Sequence, residues 1–315
     1  MPSAVETYAA RVDAVLTQRT RLRGPAPPGD LFDGLPPGHP LLNADPLRPL
    51  EPSLEIIASY VQPDDLIVDV GGGAGRYGLP LGLRCRGVVD VDPSAGMLRA
   101  FESHAQTTGI AFAQTVHGDW LTVEPPRGTL ALVNHVTYLT RDIVTFVRKL
   151  EAAASRRVLM TVGSPPPPSR NRAVFQVCYG EPSEPVPGHV ELVNVLWELG
   201  IEPDVQMLPV LPATRDTISE RDQAIQTALA QLRGHQWAFW PLTPALEAEA
   251  RTRIEAHFPE LFDETPAGYV PRWTVPGREV LITWARSQES GARSQEEPGR
   301  DIDGGRAHRS VCHPS

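Results

Sequence analysis

Residues 69 to 75 read Asp-Val-Gly-Gly-Gly-Ala-Gly. Glycines at this density let a backbone turn sharply and leave no Cβ to block a ligand from the main chain. The turn follows the apolar run 66–70 and opens a helix, so it offers free N–H groups and the positive end of a helix dipole. Two cofactor chemistries use such a turn. A dinucleotide fingerprint can be drawn as Gly73-Ala-Gly75-Arg-Tyr-Gly78, with Asp92 as the acid about twenty residues on. That pattern leaves out Asp69, two residues before the first glycine. A carboxylate there would repel a diphosphate, whereas a cofactor carrying an ammonium or sulfonium group would gain from it.

The surrounding sequence alternates strands and helices in the way a doubly wound parallel sheet requires. Strands are expected at 66–70, 87–92, 110–116, 129–136 and 157–162. Helices are expected through about residue 83, at 94–107, and from a cap at Thr140 to about residue 154. A helix at 5–22 precedes them, followed by a Pro- and Gly-rich wrap over 24–52 and a short helix at 53–60 with Ser53 as its cap. After a proline-rich break near 164–170, a helix is expected at 189–199, a strand at 204–210, helices at 217–232 and 243–258, and a closing strand at 279–285. The organisation that follows is an N-terminal helix and wrap (1–52), a cofactor domain (53–210 with 278–286), a helical insertion or lid (211–277) and a disordered tail (287–315).

In that frame the sequence resembles the class I S-adenosylmethionine-dependent methyltransferases. The Asp69-x-Gly71-x-Gly73-x-Gly75 turn matches their first motif. Val91-Asp92-Pro93-Ser94, at the end of the second strand, looks like their second. His117-Gly118-Asp119-Trp120 follows the third strand where family members meet the adenine, and Leu132-Val133-Asn134-His135 ends the fourth where they line the methionine end. The resemblance implies a mostly parallel seven-stranded α/β sheet with an antiparallel closing strand, and S-adenosyl-L-methionine as cofactor. It also implies roles. Asp69 lies near the methionine ammonium, and Gly71, Gly73 and Gly75 bring main chain to the cofactor, with Pro93 in the second-motif turn. Asp92 accepts from the ribose hydroxyls, Asp119 accepts from the adenine amine, and Trp120 covers the adenine ring. Asn134 and His135 lie close to the reacting methyl group.

Transfer from a sulfonium rests mainly on alignment of the acceptor and exclusion of water. A base is needed where the acceptor must lose a proton near neutral pH. His135 is the best placed by position, with Tyr138 a second polar candidate. No Lys-Asp-Lys set or metal-binding carboxylate cluster stands out, so metal-independent transfer is expected. Acceptor specificity is expected in the N-terminal helix, the wrap and the insertion, and the insertion's Trp237, Phe239, Trp240, Tyr269 and Trp273 form either a lid or its own core. Arg19, Arg21 and Arg23 read as a solvated helix end, with a contact to an anionic acceptor as the alternative. A nicotinamide-dependent oxidoreductase and a non-catalytic scaffold of the same fold stay open as alternatives.

Composition narrows the partners. The chain has 315 residues, a formal net charge of −9, 41% hydrophobic and 21% charged residues, which excludes bulk disorder, collagen and coiled coil. Its 33 prolines are about twice the usual share and exclude a fold of long unbroken helices. An acidic chain lacks the basic footprint of a nucleic-acid binder, so a small-molecule acceptor is expected. Cys85, Cys178 and Cys312 are odd in number and far apart, unlike a disulfide framework or zinc site, and the tail's His308, Cys312 and His313 read as at most adventitious ligands. No apolar run approaches the roughly 18 residues of a membrane span, and residues 1–15 do not read as a signal peptide. A cytoplasmic protein with no membrane partner is the expectation, with oligomeric state open.

Overall fold

The structure, a computed structural model, describes residues 1–25, 29–30, 32–33, 35, 39, 41–42, 45–210, 216–233, 242–273 and 277–286. The expected tail, with His308, Cys312 and His313, lies outside these residues, as do Trp237, Phe239 and Trp240. In chain order the elements are α1 (Ala4–Arg23), α2 (Pro52–Ala58), β1 (Leu66–Val70), α3 (Gly78–Gly82), β2 (Gly87–Asp92), α4 (Ala95–Thr108), β3 (Ala113–His117), β4 (Gly128–Asn134), α5 (Ile143–Ala153) and β5 (Ala154–Ser164). There follow α6 (Arg172–Tyr179), α7 (His189–Glu198), β6 (Asp204–Met207), α8 (Arg221–Arg233), α9 (Pro244–Ala256), α10 (Phe258–Leu261), β7 (Phe262–Thr265), β8 (Gly268–Pro271) and β9 (Arg278–Ala285).

Among the described residues, seven strands form one sheet in the order β3-β2-β1-β4-β5-β9-β6. β1 to β5 run parallel, and β9 is antiparallel to both β5 and β6. β1 is buried along its whole length, as a strand covered on both faces must be. One face packs Val68, Val70, Ala131 and Val133 against α1, α5 and α7, through Tyr8, Val12, Phe146 and Leu192. The other packs Ile67, Leu130, Leu132 and Leu281 against α2, α3 and α4, through Leu54, Leu79 and Phe101. Alternation along the strands therefore puts Asp69, Asp90, Asp92, Asn134 and Glu279 on the α2–α4 side, all at or near the rim where the parallel strands end.

Several local expectations are corrected. Glu51, not Ser53, takes the cap position of α2, because Pro52 begins the helix, and Ser53 is buried inside it. Asp142, not Thr140, caps α5 by accepting the Thr145 N–H at 3.1 Å, while Thr137–Leu139 forms a separate 3-10 turn. The α3 helix ends at Gly82, and β3 begins at Ala113. α6 follows the proline-rich break, in a stretch where no element was expected, and the hairpin β7–β8 lies within the insertion expected to be helical.

α6, α8, α9 and α10 share a separate apolar core, with Val174, Cys178, Leu229, Ile254, Phe262 and Trp273 buried in it. Trp273 meets Phe262 edge-on and Tyr269 meets Phe258 edge-on, so these two aromatics serve that core. The end of α1 clamps this unit rather than pointing into solvent. Arg23 donates to the Tyr179 hydroxyl at 2.7 Å and the Leu232 carbonyl at 3.0 Å, and Arg21 pairs with Glu181. Burial, with the nearby Arg23 charge, lowers the Arg19 guanidinium to about 10.

Candidate functional site

The glycine turn closes over three carboxylates. Asp69 and Asp90 are register partners on adjacent strands, and Asp92 lies two residues further on the same face. Asp69 and Asp90 are 1% and 0% exposed. The Gly72 N–H donates to Asp90 Oδ1 at 3.1 Å and the Gly73 N–H to Asp92 Oδ2 at 3.1 Å. The Ser94 N–H donates to Asp92 Oδ1 at 2.8 Å. Among the described residues, neither Asp69 oxygen has a hydrogen-bonding partner beyond the weak approach of the Gly78 amide. Burial, then the charge of Asp92, raises the Asp69 carboxyl to about 7, with the Gly78 amide offsetting this only in part. Burial and the charges of Asp69 and Asp92 raise Asp90 well above the usual carboxylate range. Burial also raises Asp92, against the pull of its two amide donors.

Each glycine of the turn meets a different constraint. A Cβ on Gly72 would stand 2.5 Å from Asp69 Oδ2 and 2.6 Å from Asp90 Oδ1. One on Gly75 would strike Leu79 and Phe101, and one on Gly71 would lie 2.6 Å from Val136 Cγ2. Gly73, at φ +61°, is the one that faces open space, with only Met97 Sδ within reach at 3.9 Å. The open surface of the turn is therefore the Gly73 main chain with the Asp92 carboxylate behind it. Gly75 packs the turn onto its helix instead. Asp69 lies beneath the turn, facing Gly72 and Gly78 rather than the open side.

Beside this turn, Asp30 of the wrap accepts from Ser94 Oγ at 2.9 Å and the Gly96 N–H at 3.2 Å. Gly96 permits that approach, since a Cβ there would lie 2.9 Å from the Phe32 carbonyl. Pro93 is exposed, and its carbonyl contacts His117 Nε2 at 3.1 Å. Asp119 is exposed and accepts the Leu121 N–H at 2.8 Å, an Asx-type turn. Trp120 departs from expectation: it is 5% exposed, donates its indole N–H to the Phe146 carbonyl at 3.3 Å and packs edge-on against Phe146. Its ring fills the core beneath α5 and is not available to cover a ligand.

The other end of the rim gathers His135, Tyr138, Tyr77 and Glu279. His135 follows β4 with φ +59°, a left-handed conformation that costs a non-glycine residue on the order of 1 kcal/mol or more and that clusters at functional sites. Its Nε2 lies 2.6 Å from Glu279 Oε1 and its Nδ1 2.8 Å from the Tyr138 hydroxyl. Tyr77 donates to the same Glu279 oxygen at 3.2 Å. Tyr138 Oη accepts the Gly163 N–H at 2.7 Å, so its own proton is free to point at His135. These partners fix the tautomer, with the proton on Nε2 facing the carboxylate and Nδ1 accepting. Burial pushes Glu279 up, but the hydrogen bonds from His135 and Tyr77 hold it below the usual range. Glu279 is therefore the anion of the group. Asn134, next to His135, bonds Thr161 through its oxygen, while its buried Nδ2 has no partner among the described residues.

Asp92, Gly73, Asn134, His135 and Tyr138 thus share one rim, and Val136 against Gly71 joins its two ends. Asp119 lies in the turn after β3, and Trp120 lies apart in the core. Glu279, Tyr77, Asp90 and Asp30 were not singled out from sequence. For Glu279, the only signal available was an acid opening an otherwise apolar closing strand.

No family model matches the chain. An uncharacterised protein of Haemophilus influenzae is 28% identical over 156 residues, 48% of this chain and 56% of that protein. The match therefore spans little more than half the length of that relative. Among solved structures, a candidate methyltransferase of Bacillus halodurans aligns at a TM-score of 0.50 and 13% identity, over 74% of this chain and 96% of its own. An S-adenosylmethionine-dependent methyltransferase of Geobacter sulfurreducens, crystallised with S-adenosyl-L-homocysteine, aligns at 0.44 and 18% identity, over 79% and 95%. With its strand order and antiparallel β9, the chain has the class I methyltransferase fold.

Proposed function

We propose that this chain is an S-adenosyl-L-methionine-dependent methyltransferase that acts on a small-molecule acceptor without a resident metal, with His135 as general base. The observation that carries the reading is the rim itself: the open Gly73 main chain and Asp92 at one end, and a carboxylate-backed histidine at the other. The cofactor supplies a methyl group already activated on a sulfonium. Asp92 keeps lone pairs beyond those used by the Gly73 and Ser94 amides and holds the ribose hydroxyls. Asn134, through its unpartnered Nδ2, faces the methionine end, and Asp119 is the acceptor for the adenine amine. Asp69 acts through the turn, holding its underside rather than touching the ammonium.

The same geometry weighs against a nicotinamide cofactor. The Gly71 N–H is taken by the Val91 carbonyl, Gly72 by Asp90 and Gly73 by Asp92. The amides that would cradle a diphosphate are occupied, and the carboxylates beneath them repel it.

At the acceptor end, the chain's residues move a proton. An acceptor hydroxyl or amine gives its proton to Tyr138 Oη as the methyl bond forms, and Tyr138 passes its own to His135 Nδ1. The imidazolium that results is stabilised by Glu279 at Nε2. Calorimetry with S-adenosyl-L-homocysteine tests the cofactor assignment. Binding is expected, and Asp92→Ala is expected to weaken it by about 1–3 kcal/mol, the scale of lost hydrogen bonds to a charged group. Unchanged affinity in that variant, with its fold intact by melting, refutes Asp92 as the ribose acid. Tight binding of a nicotinamide dinucleotide, with none of the homocysteine product, overturns the whole reading.

A further inference from the structure

Arg170 lies in the 3-10 turn Pro167–Asn171 that follows β5, and it enters the acceptor end of the rim through two glycines. A Cβ on Gly277 would stand 2.6 Å from Nη1, 2.7 Å from Cζ and 2.8 Å from Nη2. Near-equal distances to three atoms of one plane mean that the guanidinium lies face-on against that glycine. A Cβ on Gly163 would stand 3.1 Å from Nη2. Gly163 is the residue whose amide binds Tyr138 Oη, and Gly277 stands two positions before Glu279. The cation therefore lies against the strand ends that carry the amide partner of Tyr138 and lead into Glu279. Its charge is felt there: burial raises the Tyr138 phenol, and the Gly163 amide and Arg170 pull it partway back.

The head of Arg170 is committed on one side only. Its Nε donates to the Pro165 carbonyl at 3.3 Å, and among the described residues no carboxylate pairs with it. At the opposite end of the sheet, Arg156 grips Asp65 and Arg286 grips Glu151. A planar fork held by its Nε, half-buried and with no Nη hydrogen bond to the described residues, is preorganised for a bidentate anion. At a net charge of −9 the field of the whole protein repels anions, so capture of one needs a local cation of this kind.

We propose that Arg170 is a specificity residue that holds a carboxylate group of the methyl acceptor, so that the substrate class is a small organic acid whose nucleophile reaches Tyr138 and His135. The assignment rests on the methyl-transfer reading for its role, but the anion hold itself is read separately. A second source of the same chemistry is the cofactor's own carboxylate, and the experiment separates the two.

Benzoate, 4-hydroxybenzoate, phenylacetate and hexanoate, each beside its primary amide, are titrated by saturation-transfer NMR and calorimetry. The protein is full-length, both cofactor-free and loaded with S-adenosyl-L-homocysteine. At least one acid is expected to bind about tenfold or more tighter than its amide, the reach of a charge-assisted pair, and Arg170→Gln is expected to erase that preference. Gly277→Ala, which displaces the guanidinium without removing its charge, is expected to reduce it as well and stands in should the first variant fold poorly. S-adenosyl-L-homocysteine affinity is expected to stay within about twofold in both. The proposal is overturned if no acid outranks its amide, or if the ranking survives both variants. A tenfold loss of S-adenosyl-L-homocysteine affinity in Arg170→Gln also overturns it, since Arg170 would then serve the cofactor. Failure of the wild type to bind the homocysteine product defeats the methyltransferase reading instead, and leaves the acid–amide comparison on the cofactor-free protein to decide this one.

Discussion

Gly73 and Asp92, which meet at one end of the rim, are 19 residues apart in the chain. His135 and Glu279, which meet at the other, are 144 apart. The first end is a single strand–turn–helix–strand unit, and its parts are brought together by local geometry and one register between neighbouring strands. The second end exists only after β9 has inserted antiparallel beside β5 and delivered Glu279 to the rim. A contiguous unit of this kind fixes a common ligand and tolerates little change, because carboxylates and glycines there share the same space. An end assembled from distant segments can be altered one residue at a time, which suits it to setting the acceptor in the proposed reaction.

The sharpest way to separate the two ends is His135→Asn. Asparagine tolerates the left-handed backbone at this position, so the fold is expected to hold. Methyl transfer from labelled cofactor to small-molecule fractions is expected to fall by about 10²–10⁴, the range for loss of a general base. S-adenosyl-L-homocysteine affinity is expected to change by less than about twofold. Equal losses in turnover and cofactor affinity would merge the two ends into one.

Next in size is a contrast within the turn. Gly72→Ala forces a methyl group between Asp69 and Asp90, both of which are fixed in the core. A loss of about 1–3 kcal/mol of stability is expected in chemical denaturation, as for other overpacked sites. Gly73→Ala meets no wall, so its stability cost is confined to about 1–2 kcal/mol of left-handed backbone. Its methyl group lies on the ligand side, and calorimetry is expected to show the larger affinity loss there. Reversed rankings would mean that Gly72, not Gly73, faces the ligand.

The same contrast explains what was legible from residues alone. The doubly wound, mostly parallel sheet, the glycine turn and the place of Asp92 at a strand end all follow from patterns that repeat over short stretches: apolar runs, a turn of glycines, an acid at a strand end. His135 could be placed by its position after β4. Its partner could not, because nothing near residue 135 points to Glu279, and an acid that opens an apolar strand has the same appearance as a surface charge. Trp120 misled for a related reason. Its sequence position is that of a loop residue beside an adenine site, but the turn at Asp119 swings the indole under α5, where burying a large ring contributes more than leaving it exposed. Asp90 sits within an apolar strand pattern, and only the register with Asp69 shows two carboxylates side by side.

That pair makes a pH prediction specific to the contiguous end. Asp69 titrates near 7 in the folded protein and near 3.9 in an unfolded chain. Between those values the native state holds a proton that the unfolded state has released, so stability is greatest at the acid side of the window and falls as pH rises through about 7. Asp69→Asn removes one such group. Melting temperatures of variant and wild type are expected to diverge in the variant's favour from pH 5 to pH 8. A difference that stays constant across that range would mean the Asp69 carboxyl titrates as an ordinary exposed acid.

The smallest effect tests where the contiguous end stops. Trp120→Phe keeps a ring in the core but loses the indole hydrogen bond to the Phe146 carbonyl, worth about 1 kcal/mol of stability. The phenyl ring also lacks the volume to fill the space against α5, so a modest further loss by cavity formation is expected. Cofactor affinity should not follow, because the indole faces away from the Gly73 side of the turn. Calorimetry with S-adenosyl-L-homocysteine at matched folded fraction is the measurement. A tenfold loss would return the indole to the adenine and extend the ligand site across β3, whereas an unchanged value confines the site to the rim between Asp92 and Glu279.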